Sequence, residues 1–328
     1  MIIYVTFFII SLITSYAIFI NSNFISQKLK IIDLPDENSI NRLPTPKTGG
    51  IIILAVLLIE FLMSCINGFE ILNFIELIII LSIFIIGLVD DIVDIKPTLR
   101  IILLAIISIV LLKSNEVFLI KNLQFKNFYN TGIFLNEYAL IFTIFCIVVF
   151  CNSFNFVDGI NGLAISLGIL WILLTPIDIF EKILIITSLF FILINNLRNK
   201  IFLGNSGSLI LSFYISIKFI SNYNENGFLL ADQIFICFLI PGLDLIRLFF
   251  ERISKHRSPF SGDLNHLHHL LLKYFLSTYK ALFFYLIFVS IPIVITILSE
   301  LKSLYIFIGT TILYFIIIFY FKKKLKNL

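Results

Sequence analysis

The sequence contains little charge and few cysteines. Charged residues make up 13% of its 328 residues, about half of the roughly 25% that is usual in soluble domains. No two of the four cysteines form a C-x-x-C pair, and all four lie in or beside apolar stretches, so we expect neither a disulfide nor a cysteine-based zinc site. The net charge of +4 is too small to indicate a nucleic-acid partner.

Apolar residues dominate instead. They account for 59% of the chain, the mean hydropathy is +1.07, and runs near the roughly 20 residues that cross a bilayer recur throughout. We predict an all-α, polytopic integral membrane protein with a single membrane-embedded domain over residues 1–328. The expected transmembrane helices number about eleven, at residues 2–20, 50–66, 72–89, 99–112, 137–151, 160–176, 183–195, 206–220, 232–249, 280–298 and 302–321. The first run has no preceding Lys or Arg and no A-x-A-like cleavage site, so we expect it to be retained.

Lys and Arg are distributed unevenly between the loops on the two sides of these helices. If the segment after the first helix is cytoplasmic, the cytoplasmic loops and the tail from Lys322 hold most of the positive charge. This predicts an N-terminus outside and a C-terminus in the cytoplasm. Every polar cluster with chemical character then lies at the cytoplasmic edge of the membrane. Transporters usually hold such groups near the bilayer midplane, so the pattern favours chemistry at the inner water–lipid boundary.

Three aspartates stand between two apolar runs in residues 87–100, which we call the aspartate turn. Asp90 and Asp94 share one helical face, with Asp91 beside them. Lys96 and Arg100 follow, so the turn offers acceptors for a metal ion and donors for an anion. Carboxylates at the end of an apolar helix lose much of their hydration, and this loss is costly unless they bind a cation or a metal or take part in phosphate chemistry. The alternative is a solvated helix end with incidental charges.

Polar side chains recur at every third position in residues 152–164, the asparagine turn. Asn152, Asn155, Asp158 and Asn161 would lie along one drifting stripe of a helical segment, interrupted by two glycines. Amide and carboxylate oxygens suit metal ligation, and glycines allow close backbone approach to a flat ligand. A polar loop that caps the neighbouring helices is the alternative.

Two glycines punctuate residues 202–208, the glycine turn, directly before an apolar run. Gly204 and Gly207 allow a tight turn, and the N–H groups of the following helix start could hold a phosphate. A glycine-containing helix N-cap has the same pattern, so this signal is weak alone. The punctuated loop around Pro46 fits a plain connector equally well.

Three of the four histidines cluster in residues 257–269, the histidine turn. His266, His268 and His269 lack the i, i+4 spacing of a zinc helix and would fan out on a helix. Because Arg257 and Asp263 lie nearby, contacts with a diphosphate or a sugar are favoured over zinc. A surface loop is the remaining alternative.

The motifs D-D-x-x-D, N-x-x-N-x-x-D-G-x-x-G-L, F-x-G-x-x-G-S and S-P-F-x-x-D-x-x-H-x-H-H occur in this order, all predicted on one side. Over about residues 30–270 the chain resembles the polyprenyl-phosphate N-acetylhexosamine-1-phosphate transferases, glycosyltransferase family 4. Within them it looks like the bacterial undecaprenyl-phosphate N-acetylglucosamine-1-phosphate branch. The phospho-N-acetylmuramoyl-pentapeptide transferases rank lower, because their histidine-rich loop lacks the S-P-F-x-x-D lead.

The resemblance implies transfer of N-acetylhexosamine-1-phosphate from a UDP-sugar to undecaprenyl phosphate, with release of UMP. It implies Mg²⁺, or Mn²⁺ in its place, and the first step of a lipid-linked cell-envelope glycan such as O-antigen in the bacterial inner membrane. A second copy of the chain is a further candidate partner. The implied catalytic residues are Asp90, Asp91, Arg100, His266, His268 and His269, the implied nucleotide-sugar residues are Asp158, Asn161, Arg257 and Asp263, and the implied metal positions are Asn155 and Asn205.

Two departures from the family pattern bear on activity. The family's F-x-G-D-x-G-S has a magnesium-binding aspartate where this chain has Asn205, and an amide ligates Mg²⁺ without adding charge. A family histidine is replaced by Asn41. One alternative is therefore a weakly active or non-catalytic homologue that binds polyprenyl phosphate. Another is an enzyme for UDP-N-acetylfucosamine, -quinovosamine or -galactosamine, because the residues that bind uracil would be the same for each of these donors.

Overall fold

The computed structural model describes residues 2–34, 43–67, 72–126, 132–225, 227–258 and 264–326. In these ranges the strands are two short antiparallel pairs, β1 (Ile32–Asp33) with β2 (Thr45–Pro46) and β3 (Asn122–Leu123) with β4 (Ile133–Phe134). The helices there are α1 (Ile2–Ile20), α2 (Ser22–Leu29), α3 (Gly49–Asn67), α4 (Phe74–Val93), α5 (Pro97–Ser114), α6 (Ala139–Val157), α7 (Leu163–Leu174), α8 (Ile179–Leu197), α9 (Gly204–Glu225), α10 (Ala231–Cys237), α11 (Leu239–Ser254), α12 (Leu267–Phe275), α13 (Thr278–Leu298) and α14 (Ser303–Lys326). Asn41 and Asp263 lie outside the described residues.

Each predicted apolar run falls on a helix or, for residues 232–249, on the bent pair α10–α11. The all-α, polytopic architecture is therefore confirmed. Within the described ranges, six helices are long and apolar enough to cross a membrane, and up to eight spans result if α1–α2, bent by 64°, and α10–α11, bent by 68°, each count as one. The prediction of eleven spans is not confirmed, and the sidedness of the termini stays a prediction.

Three helices account for the difference. Helix α4 carries Glu76, Asp90 and Asp91, and α7 has 12 residues. Helix α9 is rich in hydroxyl side chains such as Ser212 and Ser216, but it is buried along most of its length, because α3, α4, α6 and α7 pack around it. A helix that is surrounded by protein does not need a lipid-compatible surface. The hydropathy of α9 alone therefore does not indicate that this helix lies at the centre of the bundle.

Glycines bring α3 and α4 into backbone contact with the start of α9. A Cβ at Gly87 would lie 2.7 Å from the backbone nitrogen of Ser206, and one at Gly50 would lie 2.8 Å from its carbonyl carbon. The connector before α3 adds backbone hydrogen bonds, since Phe202 N donates to Pro46 O at 2.8 Å. These contacts hold the aspartate turn and the glycine turn at the same end of the bundle.

Substituting Gly87 with alanine is expected to destabilise the protein by ~1–3 kcal/mol, the usual cost of overpacking. The new Cβ would meet backbone atoms of Ser206, which cannot rotate away as a side chain can. Thermal unfolding in detergent measures the effect. Gly309→Ala is the matched control, because a Cβ at Gly309 on α14 meets nothing within 4 Å. Equal melting temperatures for the two variants would contradict the packing of α4 on α9.

An aromatic cluster supports the bend between α10 and α11. The fully buried Trp171 packs with Phe150, Phe154 and Phe238, and Phe238 is the residue at the break. The indole N–H of Trp171 donates to the backbone oxygen of Cys237 at 3.2 Å. A helix break leaves a carbonyl without its helical partner, so this hydrogen bond stabilises the bend that leads into α11.

Candidate active site

Asp90 forms a buried ion pair with Arg100. Its Oδ2 accepts a hydrogen bond from Arg100 Nη1 at 2.9 Å, and its Oδ1 accepts one from the backbone N–H of Ile95 at 2.8 Å. Arg100 also donates from Nη2 to Asn152 Oδ1 at 3.4 Å, which connects α5 with α6. Asp90 is 3% exposed and Arg100 6% exposed. Both oxygens of Asp90 are therefore engaged, and the pair ties three helices together.

Asp91 caps the start of α9. Its Oδ1 accepts from the backbone N–H of Asn205 at 2.8 Å, and its Oδ2 accepts from the backbone N–H and the hydroxyl of Ser206 at 2.9 and 2.8 Å. Lys47 Nζ lies 3.9 Å away. Burial raises the pKa of Asp91, and these hydrogen bonds and Lys47 oppose the shift only in part. The two N–H groups that the sequence predicted for a phosphate are thus taken by a carboxylate, which suits the positive end of a helix dipole.

The asparagine turn is divided between a helix and a loop. Asn152 and Asn155 lie on α6, where Asn155 Oδ1 accepts a hydrogen bond from the hydroxyl of Ser208 on α9. Asn161 lies beyond the helix end and donates from its amide to the side chain of Asn199. The predicted continuous stripe is therefore broken after Val157, and the polar residues project from two different local structures.

Asp158 directly follows α6 and differs from Asp90 and Asp91 in its hydrogen bonding. Within the described residues its side chain has no hydrogen-bond partner. Burial raises its pKa well above the usual range, the nearby charge of Asp91 adds to this, and Lys47 opposes it. The amide of Asn205 likewise has no partner for its side-chain atoms among the described residues. These groups, with Asn155, are the oxygen donors that Mg²⁺ prefers, so the donor set fits this metal.

The histidine turn packs against the loop after Asp158. A Cβ at Gly159 would lie 2.9 Å from His269 Nε2 and would collide with His268 Nε2. His268 is 1% exposed, and both of its ring nitrogens lack a partner in the described part of the chain. Burial lowers the pKa of His268 well below its usual range, and the neighbouring His269 and His266 lower it further. The contact joins the histidine turn to the asparagine turn.

His266 and Arg257 are placed differently. His266 precedes α12 and is buried, with its Nδ1 2.8 Å from Asp244 Oδ2. Arg257 follows α11, is exposed, and makes a backbone hydrogen bond to Arg252 at 2.9 Å. Most of the predicted site residues that the structure describes are thus linked by direct contacts within or between their turns, whereas the side chain of Asn161 hydrogen-bonds only with Asn199 and Arg257 is exposed.

Comparison with known proteins supports the resemblance. Residues 73–222 match the model of glycosyl transferase family 4. The chain's resemblance to this family is confirmed. It is similar to the undecaprenyl-phosphate alpha-N-acetylglucosaminyl 1-phosphate transferases of Yersinia pestis, with 26% identity over 75% of this chain and 70% of the relative, and of Thermotoga maritima, with 25% identity over 81% and 78%. The Escherichia coli K12 protein of that name is 27% identical over 57% of this chain and 55% of its own length.

The segment matched to glycosyl transferase family 4 runs from the start of α4 through most of α9. It contains the aspartate, asparagine and glycine turns, and it ends before the histidine turn. The three turns that the family match covers are therefore also the ones held together by direct hydrogen bonds around α9. The histidine turn joins them through its contact with Gly159.

Two residues at the end of the bundle that carries the candidate site were not predicted from the sequence as site residues. Lys47 is 3.3 Å from Asp33 and approaches Asp91, so it supplies the positive charge beside the carboxylates. Asp244 on α11 is buried and contacts His266. An ionisable residue within an apolar run is a recognised sign of function in a membrane protein. That signal was available for Asp244. Lys47 lies in the punctuated loop around Pro46, which the sequence alone did not distinguish from a plain connector.

Proposed function

We propose that the protein transfers N-acetylglucosamine-1-phosphate from UDP-N-acetylglucosamine to undecaprenyl phosphate and releases UMP. The activity named for the relatives supports this, and one structural observation carries it. The carboxyl group of Asp158 has no hydrogen-bond partner in the described residues. It lies close enough to Asp91 to be affected by its charge, and it directly precedes Gly159, which packs against the histidine turn. The product would begin a lipid-linked cell-envelope glycan at the bacterial inner membrane.

The reaction exchanges one phosphoanhydride for another. An oxygen of the lipid phosphate attacks the β-phosphorus of the UDP-sugar, and the bond between this phosphorus and the bridging oxygen breaks, so that UMP leaves with that oxygen. One anhydride is formed for the one that is broken, so we expect a step near equilibrium. The barrier arises from bringing anionic phosphates together, so catalysis depends on positioning and on positive charge.

Asp90 and Asp91 serve this reaction by holding the charged groups in place. Asp90 orients Arg100, whose positive charge screens the phosphates, and Asp91 fixes the start of α9. The hypothesis that one of these carboxylates keeps the lipid phosphate ionised requires one of its hydrogen bonds to open when substrate binds. Lys47 beside Asp91 adds a second positive charge for the lipid phosphate.

The oxygen donors Asp158, Asn155 and Asn205 would hold Mg²⁺, with Mn²⁺ as a substitute. When bound, the metal would neutralise the diphosphate oxygens and the charge that develops on UMP. Asn161 is proposed to contact the nucleoside. The resemblance places Asp158 there as well, but we assign it to the metal because its carboxyl group has no hydrogen-bond partner among the described residues. The residues proposed to contact the diphosphate and the sugar are His266, His268, His269, Arg257 and Asp263.

The proposal is tested by UMP release from purified protein with undecaprenyl phosphate, Mg²⁺ and a panel of UDP-sugars. We expect the highest rate with UDP-N-acetylglucosamine. If the rate is higher with the N-acetylfucosamine, N-acetylquinovosamine or N-acetylgalactosamine donor, the proposed sugar is wrong but the proposed type of reaction is retained. If no donor yields UMP while the protein still binds undecaprenyl phosphate, the proposed enzymatic activity is wrong. The protein would then be one that binds a lipid phosphate without turnover.

Asn205→Asp is expected to lower the Mg²⁺ concentration for half-maximal UMP release about tenfold, because a carboxylate adds charge to the ligand set. The stabilisation of the protein by Mg²⁺ in thermal unfolding should increase in parallel. Asn23→Asp, at an exposed position on α2, is the control for added surface charge. If both measurements remain as in the wild type, Asn205 does not contact the metal.

A further inference from the structure

Asp244 is a buried acceptor at the junction of three helices. It is 3% exposed on α11. Its Oδ1 accepts hydrogen bonds from Arg247 Nη2 at 2.8 Å and from the hydroxyl of Tyr314 on α14 at 2.6 Å. Its Oδ2 lies 2.8 Å from His266 Nδ1 and 3.1 Å from the backbone nitrogen of Leu267. Nothing in the proposed function uses this residue, although it touches a histidine of the site.

The surroundings of Asp244 stabilise its negative charge. The guanidinium of Arg247 forms an ion pair with it, and Arg247 Nε donates in turn to the hydroxyl oxygen of Tyr314 at 2.8 Å. The hydroxyl of Tyr314 therefore accepts from Arg247 while it donates to Asp244. A carboxylate that is buried with its oxygens engaged by charged and polar donors is stable as an anion.

This anion determines which nitrogen of His266 carries a proton. An ionised carboxylate only accepts hydrogen bonds, so Nδ1 of His266 must be the donor, and Nε2 is the atom left for another contact. Nε2 has no partner among the described residues and is not fully buried. The ring of His266 stacks with the rings of Phe156 and His268, with centroid distances of 5.4 and 5.3 Å and angles of 24° and 15° between the ring planes.

A metal-binding site is an alternative interpretation of the same cluster. One ligand-capable atom from each of Asp244, His266 and His268 lies within 4.8 Å of the others. However, both oxygens of Asp244 already accept hydrogen bonds, and a metal bound there would have to displace the N–H of His266. The contacts are therefore better explained by an aspartate that orients a histidine.

We propose that Asp244 is a positioning residue for the transfer reaction. It holds His266 with Nδ1 protonated and Nε2 available to a phosphate oxygen of the nucleotide sugar, and it stabilises positive charge on the imidazole when that phosphate is bound. Arg247 and Tyr314 keep Asp244 in position, so α14 contributes to the site. This inference rests on the proposed function for the identity of the phosphate, whereas the orientation of the ring is independent of it.

The first test does not depend on activity. The chain has four histidines, so protein labelled with ¹⁵N-histidine gives few signals, and the spectrum of His266→Gln assigns the signal of His266. We expect a protonated Nδ1 for His266 in the wild type and a mixture of tautomers in Asp244→Asn. An unchanged Nδ1 signal in Asp244→Asn would overturn the inference.

The second test separates positioning from folding. Asp244→Asn should reduce kcat for UMP release at least tenfold and move the optimum to lower pH, because an amide no longer stabilises the charged imidazole. Among the described residues, the charged and titratable groups near this ring are His268, His269, Arg247, Arg252 and Tyr314, and all of them remain in the variant. Tyr314→Phe, which removes one hydrogen bond and no charge, should lower kcat two- to fivefold without that pH shift.

The outcomes distinguish the two proposals. Unchanged kcat and pH optimum in Asp244→Asn would overturn the positioning role. If Asp244→Asn does not fold, an unchanged kcat in Tyr314→Phe, which leaves Asp244 with its other contacts, would also count against it. If the wild type releases no UMP but the tautomer changes as expected, the transfer reaction is wrong while the orientation of His266 by Asp244 is correct.

Discussion

Asp91→Asn is expected to lower UMP release at least about 100-fold, because it removes charge-assisted hydrogen bonds that contribute ~1.5–3 kcal/mol each. An amide offers one acceptor oxygen where the carboxylate serves the N–H groups of Asn205 and Ser206 and the hydroxyl of Ser206. The start of α9 would shift, and with it Asn205 and Ser208, the partner of Asn155. Initial rates at saturating substrate measure the loss.

Asp94→Asn is the matched control for this substitution. Asp94 lies three residues further along the same turn, is exposed, and has no side-chain hydrogen bond among the described contacts. We expect its rate to stay within a few-fold of the wild type. Full activity in Asp91→Asn, or equal losses in the two variants, would contradict the account of Asp91 as the residue that holds α9.

Lys218→Met is expected to destabilise the protein by ~3–5 kcal/mol, because removing one member of a buried ion pair leaves the other uncompensated. Lys218 on α9 lies 2.6 Å from Glu181 Oε1, and Tyr214 donates to the same carboxylate. Glu60 is fully buried nearby, and neither of its carboxyl oxygens has a partner in the described structure. Thermal unfolding in detergent should show a lower midpoint.

The combined variant Lys218→Met, Glu181→Gln should recover much of this loss, since it replaces both charges of the pair. Lys182→Met is the single-site control, because the ammonium group of Lys182 forms no ion pair among the described residues and donates only to the backbone oxygen of Leu173, at 3.3 Å. A melting temperature for Lys218→Met that equals that of Lys182→Met would show that the buried pair does not stabilise the bundle. This network is remote from the aspartate turn, so activity measured well below the melting temperature should change little.

Much of the fold could be predicted from the sequence because apolar runs of bilayer length have one stable backbone solution, the helix. The gathering of Asp91, Asn155 and Asn205 was predictable for a related reason. Their motifs follow alternate runs, and the ends of alternate antiparallel helices lie on one side. The number of membrane spans was harder to predict from the sequence. Helix α9 is polar for a membrane helix, and only its burial by neighbouring helices explains its position.

The roles within the site depended on tertiary contacts that the sequence does not contain. Asp90 and Asp91 are adjacent and chemically equal, yet one pairs with Arg100 and the other caps a helix more than a hundred residues away. The last two apolar runs offered only hydropathy, but Tyr314 from the second of them contacts Asp244. Such pairings follow from the packing of distant helices, so spacing along the chain could not reveal them.

The central claim is the transfer of a sugar together with its β-phosphate, and a position-specific label tests it most directly. Purified protein is given undecaprenyl phosphate, Mg²⁺ and UDP-N-acetylglucosamine that carries ³²P at either the α- or the β-phosphorus. The account predicts that the β-label enters the lipid fraction while the α-label is recovered in UMP. Release of both labels in UDP, with sugar alone on the lipid, or retention of both labels in the unreacted donor would contradict it.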